Sequence, residues 1–143
     1  MPIRFFTAAM ILCLSASLQA EDGRQAVQLP DMMREHMLSN MRDHLLALEE
    51  ITRYLASNQY DEAAEVAENR LGMSSMALHG ASHLGKFMPK EMGAIGTNMH
   101  RAASRFAVAA KDAELEGGLS KAFSALSEVM QQCVACHAKY KVH

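Results

Sequence analysis

The stretch that decides the fold is LSKAFSALSEVMQQCVACHAKY, Leu119–Tyr140. Its apolar and ligand-type residues are Leu119, Ala122, Phe123, Leu126, Val129, Met130, Cys133, Cys136, His137 and Tyr140. Steps of three and four residues return to one face of an α-helix, so the spacing predicts an amphipathic helix over about 119–140. Cys133, Cys136 and His137 form C-x-x-C-H in its last turns, on the inward stripe and within reach of one another. Whatever they hold therefore enters the interior, between this helix and its neighbours. The chain runs only six residues past His137, so anything facing its far side is expected from upstream.

Upstream, three more helical patterns follow the same period. The first covers Asp31–Ser57, with the seam Met37, Met41, His44, Leu48, Ile51, Leu55, and Asp31 is expected to cap it. SNQYD interrupts it, and a second helix is expected from Tyr60 or Asp61 past Leu78, as far as Leu84, weakened at Gly72. A third follows Pro89 with Met92, Ile95, Met99, Ala103, Phe106 and Ala110 inward, and LEGGLS ends it. No strand alternation is present. Four helices with short connections predict an all-α, antiparallel up-down-up-down four-helix bundle.

The chain has 143 residues and is half apolar, enough for one domain with a real core. Its formal net charge of −2, without a basic stripe, gives nucleic-acid binding no electrostatic support. MPIRFFTAAMILCLSASLQA, residues 1–20, has one cation, an apolar run and a small-residue end. It reads as a cleaved signal peptide, with the cut after Ala20 and the mature domain at 21–143. The run is too short for a membrane span, so export to the periplasm with no span in the mature chain is expected. Cleavage removes Cys13, and the two remaining cysteines both belong to C-x-x-C-H.

C-x-x-C-H is the attachment signature of a c-type haem, with both thiols as thioethers and the histidine on the iron. In an oxidising compartment, haem attachment would consume a thiol pair that otherwise forms a disulfide. Two other readings compete. A zinc site from Cys133, Cys136, His137 and His143 lacks a second clustered pair of ligands. A dithiol oxidoreductase wants the motif at a helix start after a strand, not at a helix end.

The mature chain resembles the class II c-type cytochromes, cytochrome c′ and its low-spin four-helix relatives. CVACHAKYK is similar to their C-x-x-C-H-x-x-Y-R ending, with Lys141 in place of Arg, and REHMLSNM resembles their first helix. The resemblance implies one covalent haem c on Cys133 and Cys136, with His137 as proximal iron ligand. It implies Arg34 near a propionate, Leu38 as a non-ligating distal cover, and Phe123 and Tyr140 in the haem pocket. An apolar cover leaves the iron open to NO or CO, and a methionine from the same helix closes it for electron transfer. The resemblance also allows a homodimer.

The residues leave the distal side open. Met37 adjoins Leu38, and Met33 and Met41 lie one turn away on either side. A methionine stripe is also ordinary core filling. A sixth ligand from Met37 or Met41 is taken first, an open iron second, and bis-histidine ligation by His44 or His36 third. His79 and His83, at i and i+4, form a speculative second metal pair from one helix face, alternatively a solvent-facing pair. No hydrolase triad, P-loop or dinucleotide fingerprint is present, so an electron carrier is expected rather than an enzyme, with room left for peroxidase-type side activity. Its partners would be periplasmic redox proteins. Glu49, Glu50, Asp61, Glu62, Glu65 and Glu68 offer a basic partner an acidic face, or are simply solvated.

Overall fold

The computed structural model describes residues 22–116 and 118–143, so the expected signal sequence with Cys13 lies outside the described residues. The chain is mostly helical, in keeping with the all-α expectation. A short strand β1 (Gln25–Val27) leads into α1 (Asp31–Ala56). Then come α2 (Tyr60–Val66), a π-helical turn at Ala67–Leu71, a 3-10 turn at Met73–Ser75 and the short α3 (Ala81–Leu84). Two long helices, α4 (Lys90–Glu116) and α5 (Leu119–Lys139), precede strand β2 (Tyr140–Val142).

Three local expectations need correction. Asp31 does not cap α1. Pro30 holds that position with extended backbone, and its carbonyl accepts from the amides of Met33 and Arg34 at 2.8 and 2.9 Å. Asp31 sits instead in the first turn, where the helix dipole favours a carboxylate. The second helix does not run through to Leu84. It widens to a π turn and stops at Gly72, which is extended at ψ −178°. The Glu68 carboxylate then folds over Gly72, where a Cβ would collide with it, and accepts from the amide and hydroxyl of Ser74 at 3.1 and 2.5 Å. Finally, α5 ends at Lys139, and Tyr140 starts a strand that pairs in parallel with Gln25–Val27. Strands of three residues are too short to leave an alternation in the sequence.

The core falls into two parts. The larger is rich in alanine: Ala47, Ala63, Ala64, Ala67, Ala102, Ala103, Ala110 and Ala122 are fully or nearly fully buried around Phe106, Ile51, Leu55 and Val129. Small side chains let α2 approach α1 and α4 closely, and α4 approach α5, at this end. The smaller part gathers Val27, Leu29, Met37, Leu84, Met92 and Tyr140 under the paired strands. Helix α4 packs along α5, and α2 with its π turn packs on both α1 and α4, whereas α1 and α5 barely approach one another. Arg70 in the π turn ties this segment to α1 through Asp43 and, at 2.8 Å, Glu50. Among the described residues no helix is long and apolar enough to cross a membrane.

Candidate functional site

Between the two parts of the core, where α1 and α5 stand apart, lies a cavity of about 320 Å³. That is within the size of small-molecule and cofactor sites, about 300–1,000 Å³. One wall is α5, with Gln132, Cys133, Cys136 and His137. Facing it are Met37, Asn40, Met41, His44, Leu45 and Leu48 of α1. Helix α4 closes the floor with Met92, Ile95, Gly96, Met99 and His100, and His79, Ala81, Leu84 and Met88 complete the rim. A larger groove of about 560 Å³ between α2 and α4 is lined by Asp61, Glu65, Glu68 and Lys111, and contains no thiol or imidazole.

The C-x-x-C-H residues reach this cavity because of their helical spacing. Cys133 packs against the larger core and Cys136 against the smaller one, so the thiols straddle the interruption between them. Burial pushes both thiols above their ordinary range, and Cys133 raises Cys136 further. They stay protonated at neutral pH, the reverse of the activated thiol a dithiol oxidoreductase needs. His137 lines the cavity while remaining exposed. Its backbone carbonyl accepts from Arg24 at 3.4 Å, and Lys139 reaches Glu91 at 2.5 Å, fixing the end of α5 to the residue before β1 and to α4.

The first-helix candidates separate cleanly. Met37 is buried, 8 % exposed, and lines the cavity, as do the half-buried Met41 and His44. Leu38 and His36 do not line it, whereas Met37, one residue from the expected cover position, does. Arg34 lies off the lining, half-buried, with its Nε buried and unpartnered and one terminal nitrogen 3.4 Å from Glu35. Tyr140 is buried in the smaller core and likewise does not line the cavity. Phe123 departs from the inward stripe expected of it. It is 45 % exposed and away from the cavity, as is the exposed Met130, because the buried stripe of α5 is narrower than expected and runs through Ala122, Leu126 and Val129.

His79 and His83 do not share a helix face. Gly80 lies between them in the left-handed region, φ +63°, and α3 starts only at Ala81. Glycine is needed there both for that φ and because a Cβ would lie 3.0 Å from His36 Nε2. The break sends His83 to solvent and turns His79 inward, where its carbonyl accepts from Asn40 at 3.2 Å. Its ring meets His44 at 4.7 Å and His100 at 5.2 Å between ring centres. Burial, then His79 and His100, lower the pKa of His44 to about 4, and burial with His100 lowers that of His79. His44 Nε2 is buried with no hydrogen-bond partner. Sequence reasoning did not find this meeting of three rings. The usable signal was the turn chemistry of Gly72, Ser74, Ser75 and Gly80, which argues against one continuous helix.

No family model, no curated protein and no solved structure matches the chain.

Proposed function

We propose that the chain is a periplasmic c-type cytochrome with one covalent haem, built as an antiparallel four-helix bundle, and that it carries electrons. The observation that carries this reading is the cavity. Cys133, Cys136 and His137 line one wall of an apolar, methionine-rich space that interrupts an otherwise packed core. Interiors are normally close-packed. A flat apolar group held there would join the two parts of the core.

Each residue has a definite task in this reading. Cys133 and Cys136 would hold the group through thioether bonds, formed by addition of each S–H across a vinyl group, so no oxidant would be needed. His137 would hold the iron from the α5 side. Met37, buried on the facing wall, would offer its thioether from α1 and exclude water there. Arg34 has a buried nitrogen still lacking a partner, the right chemistry for a propionate at the edge of the space. The bound group supplies a one-electron couple, which a thioether ligand shifts to higher potential.

The gas-binding alternative needs an apolar side chain over the iron. Leu38, the residue the resemblance implies for that role, is off the cavity, and a ligand-type side chain faces it instead. The test is the optical spectrum of the reduced protein with and without CO. Electron transfer through a closed site predicts a low-spin ferrous form that takes up CO slowly or not at all. Immediate CO uptake by a high-spin ferrous form would replace this reading with the gas-binding one.

A further inference from the structure

Three imidazoles from three separate segments meet on one side of the cavity: His44 of α1, His79 of the turn before α3, and His100 of α4. Their ring centres are 4.7 Å (His44–His79), 5.2 Å (His79–His100) and 6.2 Å (His44–His100) apart. Gathering three polar rings in a half-buried space costs desolvation that an apolar trio would not. The spacing comes close to that of a specific use. A histidine nitrogen sits about 2.0–2.1 Å from a zinc-type ion, which puts each ring centre about 3.2 Å from it and tetrahedral neighbours about 5.2 Å apart. The three observed separations bracket that value.

The hydrogen bonds point the same way. His100 Nδ1 lies 2.7 Å from the Leu71 carbonyl, which can only accept, so the proton is on Nδ1 and Nε2 keeps its lone pair. That carbonyl is available because the chain leaves the helix at Gly72. His79 Nδ1 lies 3.5 Å from the Ser75 hydroxyl, whose own proton goes to the Gly72 carbonyl at 2.7 Å. The hydroxyl therefore accepts from Nδ1, and His79 Nε2 is also bare. His44 Nε2 is buried without a partner. A ring whose other nitrogen donates to a protein oxygen is the usual arrangement of a metal-binding histidine.

We propose that His44, His79 and His100 bind a divalent transition-metal ion of zinc or copper type through their Nε2 atoms, with the fourth coordination position facing the cavity. Among the described residues no three donor groups are already gathered to hold an ion. Binding therefore requires drawing His44 and His100 together by about 1 Å, the excess of their separation over the tetrahedral spacing. The site uses none of Cys133, Cys136 and His137, but it opens on the same cavity, so beside a haem it requires that none of the three rings be on the iron. It also replaces the His79–His83 pair expected from spacing alone.

The test uses the mature protein as purified, stripped with EDTA. Zn²⁺ titration followed by calorimetry is expected to show one ion bound per chain. Affinity should fall about tenfold or more in His79→Gln and in His100→Gln, and stay unchanged in His83→Gln. The EPR spectrum of Cu²⁺ added to the wild-type protein is expected to carry hyperfine structure from three imidazole nitrogens, a result that needs no variant to fold. Absence of uptake, equal loss in His83→Gln, or a Cu²⁺ signal dominated by oxygen ligands would overturn the proposal. A bis-imidazole haem spectrum in the wild type would also overturn it, since one ring would then be on the iron.

Discussion

Acid should loosen this protein at His44, well above the pH at which its ion-paired carboxylates titrate. In the unfolded chain a histidine takes up a proton near 6.5, whereas in the fold burial, then His79 and His100, push His44 down to about 4. Above 6.5 neither state carries the proton and His44 contributes no pH dependence. Between 6.5 and 4 the unfolded chain binds the proton and the fold does not, so stability falls as the pH falls. At about 1.36 kcal/mol per pH unit, lowering the pH to 4.5 costs about 2–3 kcal/mol from this residue alone. His79, also lowered, acts in the same direction. Asp43 is held low by its hydrogen bond to Arg70, so its contribution is lost only in stronger acid. The assay is urea unfolding at pH 7.5 and 4.5 in EDTA, for wild type and His44→Gln. The variant should lose about 2–3 kcal/mol less than wild type over that interval. Equal losses in the two proteins would refute the reasoning, because the acid sensitivity would then lie elsewhere.

Other substitutions probe separate parts of the account. Phe106→Ala removes the largest fully buried side chain and should cost about 3–5 kcal/mol in chemical denaturation, against less than 1 if the alanine-rich core could collapse around it. Gly80→Ala forces a Cβ onto a left-handed residue and against His36, and should cost about 1–2 kcal/mol, measured by the same unfolding curve. Met37→Ala should convert the reduced protein to a form that binds CO rapidly, while Leu38→Ala leaves the spectrum unchanged; the opposite pattern would restore Leu38 as the distal residue.

Much of this was legible in residue spacing, and the failures have physical causes. The α5 stripe carried Cys133 and Cys136 to the interior side because i, i+3 periodicity is a property of the helix itself. Phe123 and Met130 were misplaced because hydrophobic character does not bound the width of a buried stripe: α4 covers only the arc through Ala122, Leu126 and Val129. Met37 and Leu38 differ by a rotation of one residue about α1, and spacing could not show that Met37 is the one gathered into the smaller core with Leu84, Met92 and Tyr140. The His44, His79 and His100 cluster joins positions far apart in sequence through a backbone break at Gly72 and Gly80. Only tertiary structure brings them together.

The central claim is that Cys133 and Cys136 carry a haem through thioether bonds. The most direct measurement is acid–acetone extraction of the mature protein, purified from a periplasm that attaches haem, followed by the pyridine haemochrome spectrum of the precipitated chain. The account predicts that the chain keeps a haem with a c-type spectrum and has no titratable thiol. A colourless chain with two free thiols, or haem that leaves with the solvent, would contradict it.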